Sequence, residues 1–125
     1  VERISDHAEN IAQIAETSIN KKLEFSKEAI SEIEIMSSTS INALKNAVEG
    51  LNTGDIDAAN EVIRLEQEVD DYDSKYNKLH IKRLSKGECD VKCSTVFTEM
   101  LHNLERIADH STNIAYEVLS RHISE

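Results

Sequence analysis

The stretch Glu105–Ala115 (ERIADHSTNIA), near the C-terminus, is almost a repeat of residues 2–12 (ERISDHAENIA), near the N-terminus. Eight of the eleven positions are identical, at an offset of 103 residues. The matching positions include an Asp, a His and an Asn, whereas two unrelated amphipathic helices share mainly their apolar residues. Chance similarity between two helices rarely extends this far.

The composition around these two phrases predicts an all-α protein. The 125 residues suffice for one domain with a modest core, and they include no Pro and only three Gly. The chain is rich in strong helix formers such as Glu, Lys, Ala and Leu. Its net charge of −10 repels phosphate groups, which excludes nucleic acid as a partner and disfavours anionic lipid for the surface as a whole.

The sequence has few features that indicate a membrane span, a targeting signal or a disulfide bond. The sequence has no apolar run near the roughly 18 residues that span a bilayer, so we expect no direct membrane insertion. It shows no signal peptide and begins with Val, so we expect a piece of a longer chain. Cys89 and Cys93 are four residues apart, which fits neither a CxxC pair nor a disulfide framework and favours a reduced, cytosolic setting.

Breaker and capping residues divide the sequence into four helices. Short links between long helices favour antiparallel neighbours, so the predicted architecture is an up-down four-helix bundle forming one domain over residues 1–125. The predicted helices run from the start to about Asn20, from Ser26 to the EGLNTGD stretch, from Thr53 or Asp55 to about Lys86, and from Asp90 to about His122.

The predicted core stripes differ in character. Those of the first two helices are apolar and comprise Ile4, Ala8, Ile11 and Ala15, and then Ile30, Ile33, Ile41, Leu44 and Val48. The stripe of the third helix comprises Ala59, Ile63, Glu66, Asp70, Asp73, Tyr76 and Leu79. Its three acids lie at or beside positions where the pattern predicts Leu. In the last helix, Glu105 and Asp109 lie beside the apolar Leu101, Leu104 and Ala108. A buried carboxylate must be protonated, paired or bound to a cation.

The acids share one spacing, Glu or Asp followed by Asp four residues later. This spacing stacks both carboxylates on one helical face. Two such pairs on facing helices offer up to about eight oxygens, a ligand set that suits iron, manganese, magnesium or calcium, with zinc also acceptable. The pairs are Glu66/Asp70, Glu105/Asp109 and, at the start of the chain, Glu2/Asp6.

Three other interpretations are open at this stage. The acids can form a solvated face, or Arg106 can pair across to Glu66 or Asp70 in an interhelical salt bridge. The chain can be a ligand-free docking or oligomerisation module. A ferritin-like di-metal oxidase requires two Glu-x-x-His motifs, and the chain has one, Glu99 to His102.

Three stretches resemble the PhoU family of phosphate-transport regulators. LERIADHSTNIA (104–115) is similar to the signature of the family's third helix, and GDIDAANEVIRLEQEVDDY (54–72) to its second helix. LHIKRLSKGECDV (79–91), with the two Asp-His pairs, resembles the PhoU-like C-terminal cytosolic domain of bacterial sodium/phosphate cotransporters. The family phrase usually has Gly before the Asp, where this chain has Ser5 and Ala108.

The resemblance implies a duplicated three-helix unit. The chain would then hold the last helix of one repeat and all three helices of the next, which accounts for the repeated phrase. Some PhoU proteins bind multinuclear metal clusters through paired acid-xxx-Asp motifs. Position by position, the resemblance gives this role to Glu66, Asp70, Glu105 and Asp109, and to Glu2 and Asp6, whose partner helix is absent.

The resemblance also implies a function. We expect a non-enzymatic regulatory or accessory domain of phosphate uptake on the cytoplasmic side of the bacterial inner membrane. Its partners would be a membrane phosphate transporter, covalently attached or docked, and in addition a signalling protein or a second copy of the chain. Its cofactors would be metal ions: iron, zinc, manganese or magnesium.

Overall fold

The computed structural model describes residues 25–124, which form three long helices and no strand. These are α1 (Lys27–Thr53), α2 (Ile56–Ser85) and α3 (Val91–Ser124). The all-α prediction is confirmed for this part of the chain, and the predicted ends of its helices agree with the observed ones to within two residues. The predicted first helix, to about Asn20, lies outside the described residues.

Each helix begins at a residue that the sequence marks as a cap. The Ser26 hydroxyl accepts a hydrogen bond from the backbone N–H of Ala29 at 3.1 Å. Asp55, rather than Thr53, caps α2, and its carboxylate accepts from the N–H of Ala58 at 3.2 Å. The Asp90 carboxylate accepts from the N–H of Cys93 at 2.8 Å, at the start of α3. These caps satisfy backbone donors that a helix leaves unpaired in its first turn.

The three helices pack pairwise around one core, in an up-down-up order. The order follows from two contacts at different heights along each pair: Glu32–Arg83 and Gly50–Ala59 for α1 and α2, His80–Ser94 and Glu66–Thr112 for α2 and α3, and Ser40–Leu104 and Gly50–Val118 for α1 and α3. α2 is therefore antiparallel to both neighbours, and its two faces meet different helices.

The core has a large-residue layer and a small-residue layer. The first is built around Met36, Tyr76, Phe97 and Leu101, and the second around alanines with Val62 and Val118. The change in side-chain size lets α1 approach its neighbours closely in the second layer, where Gly50 lies against backbone atoms of Asp55 and Ala59.

The predicted apolar stripe of α1 is not the face that packs on α2 and α3. Ile30, Ile41 and Val48 are 45%, 45% and 41% exposed, and Ile33 and Leu44 are only partly buried. The face that enters the core is made of mostly small residues: Ala29, Glu32, Met36, Ser40, Ala43, Ala47 and Gly50. Small side chains allow close helix contact, and the Ser40 hydroxyl donates to the carbonyl of Leu104 at 3.0 Å. The isoleucine stripe therefore lies beside the core rather than in it.

The stripe of α2 also needs correction. Ala59 and Tyr76 are buried as predicted, but Val62, Leu65 and Val69 fill the core between them. These three residues each precede a predicted stripe residue, Ile63, Glu66 or Asp70, by one position, a rotation of about 100°. The acids therefore border the core and face the groove between α2 and α3.

A polar cluster lies within the core near the loop between α2 and α3. The Arg83 guanidinium donates to both carboxylate oxygens of Glu32, at 2.9 and 2.7 Å, and lies 5.4 Å from the centre of the Phe97 ring. His80 stacks on the same ring and contacts the Ser94 hydroxyl at 2.6 Å. Burial, reinforced by the charge of Arg83, lowers the pKa of His80, so the imidazole is neutral near pH 7.

Candidate metal site

Carboxylates from two helices converge in the groove between α2 and α3. Glu66 and Asp70 lie on α2, and Asp109 lies on the facing side of α3. One carboxylate oxygen from each residue lies within 4.8 Å of the other two. Two oxygens that bind the same cation at about 2.1–2.4 Å are separated by at most about 4.8 Å. The three oxygens are therefore close enough to share one ion after small side-chain movements.

The three acids lie at the edge of the core, with one side open to water. Glu66 and Asp109 are half-buried, and Asp70 is exposed. Buried Val69 and Ala108 lie next to them along their helices. A cation at this position would keep water molecules on its open side and receive protein oxygens on the other, an arrangement that suits magnesium, manganese and iron(II).

Thr112 holds the Glu66 carboxylate in place. Its hydroxyl donates to Oε2 of Glu66 at 2.6 Å and is also 3.0 Å from the carbonyl oxygen of Ala108, one turn earlier in α3. The hydroxyl has a single proton, and the shorter distance favours the carboxylate as its acceptor. This contact between α2 and α3 orients Glu66 toward Asp109.

Burial and mutual repulsion raise the pKa values of the acids on α2. Burial is the largest cause for Glu66; the Thr112 hydrogen bond opposes it, whereas a hydrogen bond with Asp109 and the charges of Asp70 and Asp109 reinforce it. Burial also raises the pKa of Asp70, followed by the charges of Asp109, Asp73 and Asp71. Each carboxylate is thus destabilised by its neighbours, which a bound cation would reverse.

Glu105 borders the three converging acids. Burial raises its pKa to about 7, and the charge of Asp109, a hydrogen bond with Asp109 and the charges of Asp73 and Asp70 act in the same direction. The structure thus places Glu105 in contact with Asp109, although its oxygens are not among the three that converge. Of the four residues in the two predicted facing pairs, the structure brings Glu66, Asp70 and Asp109 together and has Glu105 beside them.

Arginine does not neutralise the cluster within the described residues. Arg106 donates from Nε to Nε2 of His102 at 3.0 Å, in place of the interhelical salt bridge to Glu66 or Asp70 considered from the sequence. The salt bridges formed among residues 25–124 involve Arg64, Arg83 and Arg121 and none of the clustered acids. In this part of the chain the negative charges therefore face one another.

Two polar residues near the site were not among its predicted members. Asp73 continues the α2 face and accepts a hydrogen bond from Asn77 at 3.1 Å, while burial raises its pKa. Thr112 continues the α3 face in the same way. Each lies three residues after an Asp of the motif, so extending the spacing of four by three more residues would have found both.

The remaining predicted candidates do not join the cluster. Glu2 and Asp6 lie outside the described residues. Glu99 and His102, the one match to a ferritin-like motif, are both exposed, and His102 contacts Arg106. The described residues therefore do not support the di-iron carboxylate arrangement of ferritin-like oxidases.

Comparison with known proteins agrees with the helical and acidic pattern. The family described as PhoU domain matches residues 33–118, a range that contains both described acid pairs. The chain is also similar to "Phosphate-specific transport system accessory protein PhoU homolog 1" of Thermotoga maritima, with 24% identity over 119 residues. This alignment covers 95% of the chain and 50% of the relative, so the chain spans half of the relative's length. No solved structure matches the chain significantly.

The family match extends over more than two thirds of the sequence and reaches from the first turns of α1 to the last part of α3. It includes every residue of the converging trio together with Glu105 and Thr112. On this evidence the chain belongs to the PhoU domain family.

Proposed function

We propose that this chain is a non-enzymatic regulatory or accessory domain of phosphate uptake, in which a metal ion joins α2 to α3. The observation that carries the metal proposal is the convergence of oxygens from Glu66, Asp70 and Asp109, with no cationic side chain paired to them within residues 25–124. The name of the Thermotoga maritima relative, an accessory protein of a phosphate-specific transport system, supports the physiological assignment.

An all-oxygen ligand set selects among cations. Magnesium, manganese and iron(II) prefer carboxylates, and zinc also accepts them, although its structural sites are richer in His and Cys. In the metal-bound protein Glu105 would supply a fourth carboxylate, since it already contacts Asp109. The ion would offset the repulsion that raises the pKa values of these acids, and the site would therefore stabilise one arrangement of α2 against α3.

We call the proposed metal-bound contact between α2 and α3 the metal joint. It would affect partner binding by changing how these helices pack. The long axes of α2 and α3 extend well beyond the acidic cluster, so a small change in their packing moves residues at both ends of the bundle. Occupancy of the site by metal would thereby set which surface meets the transporter or a signalling protein. Phosphate would not bind the carboxylates directly, because like charges repel unless a metal intervenes.

For the full chain we propose a single four-helix domain, in which the segment up to about Asn20 covers the isoleucine stripe of α1. The stripe runs at helical spacing along one side of α1 and is partly exposed in residues 25–124. The helix predicted for the opening segment has its own apolar stripe and a predicted end a few residues before α1, so a short link would return it antiparallel along α1. In the repeat architecture it would be the last helix of the preceding unit.

Deletion of residues 1–20 tests this packing. We expect the shortened chain to bind an apolar dye more strongly than the full chain and to unfold at lower denaturant concentration. Ile41→Ser should weaken the full chain and leave the shortened chain almost unchanged, because in the proposed packing only the full chain would bury Ile41. Equal effects of Ile41→Ser in both chains would instead favour the ligand-free docking interpretation, in which the stripe awaits another protein.

We further propose that the domain acts at the cytoplasmic face of the bacterial inner membrane, tethered to or docked on a phosphate transporter of the sodium/phosphate type. No helix in the described part of the chain is both long and apolar enough to cross a bilayer. The similarity of residues 79–91 to the cytosolic domains of such cotransporters supports this setting. Co-purification of the tagged domain with a phosphate transporter from solubilised membranes tests it, and recovery without any transporter would count against it.

Elemental analysis and thermal unfolding test the metal joint. The chain, purified without chelating resin, should retain metal, and EDTA should lower its unfolding temperature, with manganese, iron(II) or zinc restoring it. Asp70→Asn and Asp109→Asn should abolish the response to EDTA. Asp71→Asn is the matched control, since Asp71 is exposed on the same helix but does not belong to the converging trio, and this variant should respond like the parent.

An absence of metal together with an unchanged unfolding temperature in EDTA would contradict the metal joint. The acids would then be a repulsive seam that loosens the contact between α2 and α3. The family membership would be unaffected by that outcome.

A further inference from the structure

One end of the bundle has the opposite charge to the chain as a whole. Residues 78–92, which include the end of α2, the connecting loop and the start of α3, hold five basic and two acidic residues. This segment, which we call the basic end, therefore carries +3, whereas the whole chain carries −10 and its remainder −13. Its exposed cations are Lys78, Lys82, Lys86 and Lys92.

Large apolar side chains are exposed at the same end. Ile81 is 61% exposed, Leu84 is 40% exposed, and Val91, the first residue of α3, is 75% exposed. Ile81 lies three residues after Lys78 and next to Lys82, so the three share the outward side of α2. Exposed apolar residues occur singly on most proteins, but three of them among four lysines form a mixed basic and apolar surface.

The acids at this end leave the lysines accessible. Asp90 caps α3 through the N–H of Cys93, which fixes its carboxylate at the helix start. Glu88 is exposed in the loop. At the adjacent end of α1, the charges of Lys27 and Glu28 cancel. Arg83 is engaged with Glu32 inside the protein, so the surface positive charge comes from the lysines alone.

We propose that the basic end docks on the surface of an anionic phospholipid bilayer. The lysines would contact lipid phosphates, and Ile81, Leu84 and Val91 would enter the boundary between headgroups and acyl chains, as in other interfacial proteins. The strongly negative remainder of the chain would be repelled by the same surface, which imposes one orientation with the bundle end toward the lipid.

The apolar side chains favour a bilayer over other anionic partners. Nucleic acid phosphates attract lysine but offer no apolar layer at the backbone. An acidic protein surface presents carboxylates in water, where the exposed isoleucine and valine gain little. This inference goes beyond the proposed regulatory function and does not depend on metal at the acidic cluster, so either can fail without the other.

Vesicle co-sedimentation tests the proposal with the purified chain. We expect binding to vesicles of equal parts phosphatidylglycerol and phosphatidylcholine at about 0.1 M salt, and loss of binding at about 1 M salt, where screening is strong. The Lys78→Gln/Lys82→Gln variant should bind about thirtyfold more weakly, because each lysine near an anionic surface contributes about a fivefold factor. Ile81→Ser should weaken binding about tenfold through the lost apolar contact.

Matched variants and other probes decide the result. Lys45→Gln, at an exposed lysine in the middle of α1, and Ile123→Ser, at an isoleucine 85% exposed near the far end of α3, should bind within twofold of the parent. Circular dichroism confirms that each variant is folded. Equal binding to pure phosphatidylcholine vesicles, no binding to the anionic vesicles, or equal weakening by the control variants would overturn the proposal. Retention on immobilised polyglutamate without vesicle binding would instead assign the surface to an acidic protein.

Discussion

Glu105 and Asp109 lie one turn apart on α3, and Glu105 borders the oxygens that converge from Glu66, Asp70 and Asp109. Burial, followed by the charge of Asp109, raises the pKa of Glu105 to about 7. The folded chain without metal therefore keeps a proton in the acidic cluster at pH values where an exposed glutamate is ionised. Metal binding must displace that proton, which links occupancy to pH.

The metal-free chain should lose stability as the pH rises from about 4.5 to about 7. The pKa of Glu105 is raised from 4.5 to about 7 in the folded protein, so the folded state binds more protons than the unfolded state between these values. The free energy of unfolding then decreases with increasing pH, and the raised pKa values of Glu66, Asp70 and Asp73 act in the same direction. Allowing for solvent screening, we expect a loss on the order of 1–2 kcal/mol.

Urea unfolding in EDTA at a series of pH values measures this dependence. A stability that increases over the same range would show that the acids are not coupled as the structure places them. Added manganese or zinc should reverse the slope if the proposed metal joint forms, because deprotonated ligands then bind the ion.

Glu105→Gln should stabilise the metal-free chain at pH 7.5 and flatten its pH dependence. The amide preserves the shape of the side chain and removes the charge that Asp109, Asp73 and Asp70 oppose. We expect a gain of about 1 kcal/mol in the free energy of unfolding, measured in EDTA. Glu34→Gln, at an exposed glutamate of α1, is the control and should change the stability by less than about 0.5 kcal/mol.

The Glu32–Arg83 pair should be far more important for stability than the surface ion pairs. The two side chains are only 9% and 11% exposed and form two hydrogen bonds, at 2.7 and 2.9 Å. Arg83→Met leaves the Glu32 carboxylate buried without its partner and should cost about 3–5 kcal/mol, measured by urea unfolding at pH 7.

The surface arginine Arg64 offers the matched comparison for this substitution. It pairs with Glu61 and Glu68, but its side chain is 59% exposed, so Arg64→Met should cost less than about 1 kcal/mol. The double variant Glu32→Leu/Arg83→Met should recover much of the loss caused by Arg83→Met, because it leaves no unpaired charge. A similar cost for Arg83→Met and Arg64→Met would show that burial of the pair contributes nothing.

Local sequence signals predicted the helix ends well because they act locally. Ser26 and Asp90 cap the helices that the sequence assigns to them, since a side-chain oxygen must reach an N–H only two or three residues away. The core face of α1 could not be predicted in the same way. The hydrophobic pattern predicted that Ile41 lies in the core. The close approach of α3 instead favours Ser40 and its small neighbours there, and this contact cannot be read from α1 alone.

In the candidate site, too, the local features were predictable and the contacts between helices were not. A spacing of four placed Glu66 and Asp70 on one face, and that local geometry holds. The contact of Thr112 with Glu66 joins residues 46 positions apart and depends on the register between two helices, which the pattern of neither helix contains. The sequence predicted Glu105 as a fourth member of the cluster and could not show that it lies beside the converging oxygens, because its distance from them depends on the depth of the groove.

Gly50, within α1, and Gly54, just after its end, should respond oppositely to substitution by alanine. Gly50 lies within the helix, and a Cβ there would meet its nearest neighbour at 3.4 Å, an ordinary contact, so Gly50→Ala should stabilise the chain by up to about 1 kcal/mol through reduced freedom of the unfolded state. Gly54 ends the helix with φ of +74°, and a Cβ there would meet nothing, so only backbone strain opposes alanine. Gly54→Ala should cost about 1–2 kcal/mol. Thermal unfolding of both variants checks the contrast, and a loss for Gly50→Ala as large as that for Gly54→Ala would mean that α1 packs more tightly on α2 than these distances allow.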